Sequence, residues 1–91
     1  MQAFIYNAQA ARVLFGAGTL AQLPQEAERL NMQRALVLCT PEQLTQTQRV
    51  ADLLGRKCVG TYHKAVMHVP VEVAEDARRV AAELGADCCI S

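Results

Sequence analysis

Ala35-Leu36-Val37-Leu38-Cys39-Thr40-Pro41-Glu42-Gln43 is the stretch that decides the fold. Its first five residues are apolar without alternation, as a strand covered on both faces must be, and such strands belong to parallel sheets. Thr40 then stands where a helix cap belongs, Pro41 suits a first helical position, and Gln43 completes a capping box. A buried strand turning at once into a helix is one βα unit. Leu44, Thr47, Val50, Ala51 and Leu54 continue the helix as its inner stripe, and Gly55 ends it.

The same alternation runs outward from this unit. Downstream, Cys58-Val59-Gly60-Thr61-Tyr62 reads as a weaker strand, loosened by Gly60, and residues 63–70 as a loop. Val73, Ala77, Val80, Ala81 and Leu84 form the stripe of a third helix closed by Gly85, and residues 87–91 form a last strand. Upstream, Leu20, Leu23, Ala27 and Leu30 predict a helix to Asn31, opened by Thr19 and Gln22 as a capping box. Pro24 is tolerated there only near a helix start. Phe4-Ile5-Tyr6 and Arg12-Val13-Leu14-Phe15 are β-prone and predict a hairpin or two extended arms. Strands alternating with helices of about a dozen residues argue right-handed βαβ crossovers. The expected class is α/β, a Rossmann-like parallel sheet with flanking helices and an N-terminal β-strand pair.

Composition narrows the function classes. The 91 residues suit one domain, and 52% apolar content supports a core that must be aliphatic, since aromatics are 4% and Trp is absent. Nine basic and nine acidic residues cancel, without the basic stripe that a nucleic-acid partner requires. No stretch has the length of a membrane span, so no membrane partner is expected. Cys39, Cys58, Cys88 and Cys89 show no C-x-x-C spacing and read as reduced, buried, small apolar side chains, which implies a cytoplasmic protein. A vicinal disulfide between Cys88 and Cys89 is the less simple alternative.

Ligands of parallel sheets gather at the carboxyl ends of the strands. Those ends are Cys39-Thr40-Pro41, Tyr62-His63-Lys64 and Ser91. The first opens a helix whose free N–H groups favour an anion or a ribose hydroxyl. Thr40 there serves as helix cap, as cofactor contact, or as both, with Glu42 two residues on. Gly16-Ala17-Gly18 precedes a helix but lacks the third glycine of a dinucleotide fingerprint, so a tight turn is favoured over a phosphate loop. His63 and His68 lie in a loop without a carboxylate or Cys to complete a metal set, and solvated histidines are favoured. No catalytic Ser/His/Asp or Cys/His set assembles. Residues 87–91 read as a strand with no loop after it, so the chain is expected to be a partial dinucleotide-binding domain.

Phe15-Gly16-Ala17-Gly18-Thr19-Leu20, Ala35-Leu36-Val37-Leu38-Cys39-Thr40, His68-Val69-Pro70 and Leu84-Gly85-Ala86-Asp87-Cys88-Cys89-Ile90-Ser91 carry a resemblance over essentially the whole chain. It resembles the N-terminal lobe of iron-containing alcohol dehydrogenase-like enzymes, a superfamily that includes glycerol dehydrogenase and dehydroquinate synthase. Phe4-Ile5-Tyr6-Asn7, the Cys39 to Gln43 corner and the segment from Lys64-Ala65 to His68-Val69-Pro70 resemble a branch that reduces a carbon–carbon double bond in aromatic-compound breakdown.

The resemblance implies an NAD(P)H-dependent oxidoreductase acting on a small molecule, with a separate all-helical C-terminal domain supplying metal- or substrate-binding residues. It implies cofactor contacts at Cys39, Thr40, Pro41 and Glu42, and at Ser91, whose strand leads in the family to a Gly-Gly-Gly-Ser loop on the pyrophosphate. Many members carry an acid where Thr40 stands, selecting NAD; its absence fits use of NADH or NADPH. His68 and Val69 replace the first Pro and the Asn of a Pro-Asn-Pro stretch on the substrate side. The N-terminal strand pair is implied in a homodimer interface. A free-standing α/β interaction module, or an alcohol or glycerol dehydrogenase of the same superfamily, are the alternatives. The isolated 91 residues are expected to be inactive.

Overall fold

In the computed structural model, which describes residues 2–91, β1 (Ala35–Leu38) is the centre of a three-stranded sheet. β2 (Cys58–Tyr62) lies on one side and β3 (Cys88–Ile90) on the other, both parallel to β1. Ala35, Leu36 and Val37 are all buried, Leu36 completely. Because side chains alternate across a strand, Ala35 and Val37 face one helical layer and Leu36 the other. The Rossmann-like α/β lobe expected from the sequence is therefore present.

α1 (Leu23–Arg29) and α2 (Leu44–Leu54) cover the first face, where Ala27 and Leu54 join Ala35 and Val37 in the core. Leu23, Met32, Val50, Cys58, Cys88 and Ile90 pack around that nucleus. α3 (Val71–Leu84) covers the second face. A Cβ on Gly60 would stand 2.7 Å from the Leu84 methyl Cδ1 and 3.7 Å from Leu36 Cδ1. The strand glycine that looks like a weak point is thus the place where α3 comes down on β2. α3 ends in a Schellman motif: Gly85 is left-handed at φ 64°, its N–H donates to Ala82 at 3.1 Å, and Ala86 N–H donates to Ala81 at 2.9 Å.

Three local expectations change. The first helix is a 3-10 turn over Thr19–Gln22 followed by α1, with Pro24 in the opening turn of α1, where its missing N–H is harmless. Thr19 does not cap: left-handed Gly18, at φ 78°, takes that position, and the Thr19 hydroxyl donates back to the Gly16 carbonyl at 2.9 Å. The glycine run therefore forms a tight turn. The N-terminal β-strand pair is not formed, since residues 2–15 carry no regular structure and Phe4, Ile5, Tyr6, Val13 and Phe15 are exposed. Strands need a ladder partner, and neither run pairs with the other or joins the sheet. This arm stretches the molecule to 51 Å, with a radius of gyration of 15.7 Å against about 12 Å for a compact chain of this length. Arg12 ties the arm to α1 through two 3.0 Å bonds to Glu26, whose carboxyl is held below its usual range by Arg12 and then Arg29.

At the foot of the sheet the Asp87 carboxylate accepts from the main-chain N–H groups of Gln33 and Arg34, both at 3.0 Å. Those bonds, the one from Arg34 first, hold the Asp87 pKa below the ordinary carboxylate value of about 4. A carboxyl so lowered contributes stability in full above its unfolded pKa and loses it as pH falls through the folded one. Asp87→Asn therefore lowers the thermal midpoint at pH 7, and the gap to the parent chain closes below about pH 4, as melting followed by circular dichroism across that range will show.

All four cysteines are free: Cys39 is buried, Cys58 and Cys88 are half-buried, and Cys89 is exposed. The expectation of four buried thiols fails at Cys89, which shares Leu36's face of the sheet but sits on the edge strand. Burial first, then Asp87, pushes the Cys88 thiol up to about 11. In the native chain a disulfide-exchange reagent at pH 8 therefore titrates Cys89 fastest and Cys39 slowest, and all four react alike once the chain is unfolded.

Candidate functional site

Because the three strands are parallel, Cys39-Thr40, His63-Lys64 and Ser91 emerge at one rim of the sheet. Cys39 continues the ladder one residue beyond β1, its N–H donating to the Tyr62 carbonyl at 2.8 Å and its carbonyl accepting from Ala65 N–H at 3.3 Å. The second bond folds the segment after β2 against the end of β1. Thr40 is extended at φ −79°, and the chain then turns through a 3-10 turn (Pro41–Gln43) into α2. The Gln43 N–H donates to the Thr40 carbonyl at 3.0 Å, while the Gln43 amide oxygen accepts from Thr40 N–H at 3.4 Å. This corner is the capping box expected from the sequence, and it sets the start of α2 on the rim.

The rim carries two hollows. One, of about 210 Å³, brings Cys39 together with Ser91 and adds Gln43, Gln46 and Thr47 from α2. The other, of about 380 Å³, is lined by Thr40, Pro41 and Glu42 on one wall and Ala65, Val66 and Met67 on the other. Five of the residues singled out from the sequence thus meet as a pair and a trio on either side of one corner. His68 and Val69 line neither hollow. Both are exposed, and His68 is left-handed at φ 54°.

Sequence reasoning missed Gln46, Ala65, Val66 and Met67 as site residues, and it placed Thr47 on the inner stripe of α2 without assigning it to the site. Thr47 is the buried polar residue of α2, only 5% exposed, and it faces this hollow. The signal was present: in a helix that begins at the rim, residues three and four beyond the capping glutamine share its face.

Charge is sparse in the two hollows. Neither hollow is lined by Lys or Arg, and Glu42 is the one charged residue among their walls. An anion there would rest on main-chain N–H groups and the α2 dipole. Hydroxyls and amides on Thr40, Ser91, Gln43, Gln46 and Thr47 suit ribose and amide groups, beside apolar walls from Val50 and Ile90.

Tyr62, at the end of β2, turns away from the rim. Its hydroxyl donates to Asp76 Oδ2 at 2.9 Å, and its pKa is raised by burial first and then by Asp76. Arg79 Nη2, 2.6 Å from Asp76 Oδ1, is the main reason the Asp76 carboxyl is held down, with Tyr62 second. This cluster fastens α3 to β2 and contributes nothing to the site. Among the described residues no group of three His, Cys, Asp or Glu is placed to hold a metal ion, and no helix is long and apolar enough to cross a membrane.

Comparison with known proteins agrees with this fold. Maleylacetate reductase from Burkholderia cepacia is 48% identical over 100% of this chain and 26% of its own. A crystal structure from Ralstonia eutropha JMP134, described as a candidate alcohol dehydrogenase, is 57% identical with a TM-score of 0.88, covering 98% of this chain and 25% of that one. The crystal structure of maleylacetate reductase from Agrobacterium tumefaciens is 44% identical with a TM-score of 0.87, at the same coverage. The chain thus spans about a quarter of the length of the relatives it matches. The sequence model of the iron-containing alcohol dehydrogenases matches residues 10–91, and the chain belongs to that family.

Proposed function

We propose that these 91 residues form part of the dinucleotide-binding domain of an NAD(P)H-dependent maleylacetate reductase. The complete polypeptide, with an all-helical domain beyond this lobe and a second copy as partner, would reduce the carbon–carbon double bond of maleylacetate to give 3-oxoadipate. The observation that carries the reading is the meeting of Cys39, Thr40, Pro41, Glu42 and Ser91 on one rim, in hollows lined by hydroxyls and amides and by no Lys or Arg. The maleylacetate reductases among the relatives favour this member.

NAD(P)H supplies the hydride when bound. This lobe's own residues bind and orient. Thr40 and Glu42 offer a hydroxyl and a carboxylate to the adenosine ribose, and Pro41 and Cys39 fix the backbone that presents them. Ser91, on the strand neighbouring β1, directs the chain toward the pyrophosphate. His68 and Val69 flank the substrate side, and no residue of this lobe is assigned a catalytic role. The Ralstonia eutropha neighbour favours a second reading, an alcohol dehydrogenase with its metal held outside these residues.

Maleylacetate and NADH supplied to the full-length protein separate the two. Oxidation of NADH dependent on maleylacetate, without stimulation by added iron, is expected; NAD reduction by simple alcohols and none with maleylacetate contradicts the first reading. Thr40→Asp in the same protein places an acid beside the ribose and repels a 2′-phosphate. It raises the KM for NADPH on the order of tenfold and that for NADH far less, in steady-state kinetics with each cofactor. Equal losses with both remove Thr40 from the ribose.

A further inference from the structure

β3 is held in the sheet by very little ladder. It pairs with β1 at three positions only, Ala35↔Cys88, Leu36↔Cys89 and Val37↔Ile90. Cys88 and Ile90 pack against the cluster of Ala27, Ala35, Val37 and Leu54, while Cys89 is exposed on the opposite face. A slip of one residue would exchange those faces and carry Ser91 about 3.3 Å along the strand. Three residues of parallel ladder give weak resistance to such a slip.

The resistance sits immediately before the ladder, at Arg34 and Asp87. Asp87 N–H donates to the Arg34 carbonyl at 2.8 Å, which adds one more position to the same register. The Asp87 carboxylate accepts from Gln33 N–H and Arg34 N–H, both at 3.0 Å. In return the Arg34 guanidinium donates from Nε to the Gly85 carbonyl at 3.0 Å and from Nη2 to the Leu84 carbonyl at 2.6 Å. Each charged side chain therefore grips the main chain that leads into the other's strand. Both residues are exposed, so neither is there to fill the core. Charge-assisted bonds to main chain in paired, two-pronged geometry are directional, which makes them suited to fixing a register.

We propose that Arg34 and Asp87 are positioning residues for the dinucleotide. They lock β3 onto β1 in one register and so set where Ser91 stands relative to Cys39 and Gln43 in the shared hollow. The lock lies four residues before Ser91, roughly 13 Å away along an extended strand, so it acts without touching cofactor. An error of about an ångström at a binding rim is enough to cost a large factor in productive binding. The inference rests on the NAD(P)H reading of the rim given above.

The test uses the full-length protein, with NADH as the probe, in Asp87→Asn and in the milder Arg34→Lys. Affinity is read from NADH fluorescence, and folding from circular dichroism well below each variant's melting temperature. Folded Asp87→Asn is expected to raise the Kd and KM for NADH about tenfold, leaving kcat at saturating NADH and the KM for the second substrate near parental values. Arg34→Lys loses the two-pronged grip and shows a smaller rise in the same direction. The double variant adds little to the worse single one, because the two residues act as a unit. A merely structural role would lower the melting temperature and leave the NADH affinity of folded protein unchanged. Parental protein that binds NADH alongside folded variants that bind it equally well overturns the positioning role alone. Parental protein that binds no NADH overturns the dinucleotide reading and this proposal with it.

Discussion

β1 is bonded on both edges and covered on both faces, and every other element takes its place from that strand. Ala35 and Val37 anchor α1 and α2, while Leu36 lies under α3. A four-residue strand with no solvated face can hold only apolar side chains, which is why it is also the most readable stretch of the sequence. Its carboxyl end inherits the consequence. The backbone must leave the sheet at Cys39 and Thr40, and it leaves straight into a helix start. Fold and candidate site are therefore two ends of one constraint.

Most of the architecture was legible for that reason. Strand β1, the Thr40 to Gln43 corner, α2 ending at Gly55 and α3 ending at Gly85 all follow from local patterns that tertiary packing reinforces. Where the reading failed, a non-local partner was decisive. Phe4 to Tyr6 and Arg12 to Phe15 have the composition of strands, but composition supplies no ladder, and they remain an exposed arm. Gly60 looks like a flaw until Leu84 is seen above it. Cys89 resembles its neighbour Cys88 in sequence, but the two point to opposite faces of β3: Cys88 packs on the core cluster, and Cys89 is exposed on the other face.

The candidate site was half legible. Topology alone places Cys39, Thr40 and Ser91 at one rim, and the sequence implies that topology. It does not show that the corner divides the rim into two hollows, nor that residues 65–67 rather than His68 and Val69 form the far wall of the Thr40 hollow. That wall depends on the bond from Ala65 N–H to the Cys39 carbonyl, a contact between residues 26 positions apart. The lack of Lys and Arg in the walls of both hollows is the feature with most chemical content. It suits a ligand whose negative charge is met by main-chain N–H groups and whose sugar and amide groups are met by side chains.

Site and proposed chemistry both depend on the carboxyl rim of this parallel sheet facing a dinucleotide. A crystal structure of the full-length protein with NADH tests it most directly. Density is expected for the adenosine ribose beside Thr40 and Glu42 and for the pyrophosphate just past Ser91. A cofactor bound at the opposite edge of the sheet, near Arg34 and Asp87, or away from these strands altogether, would contradict it.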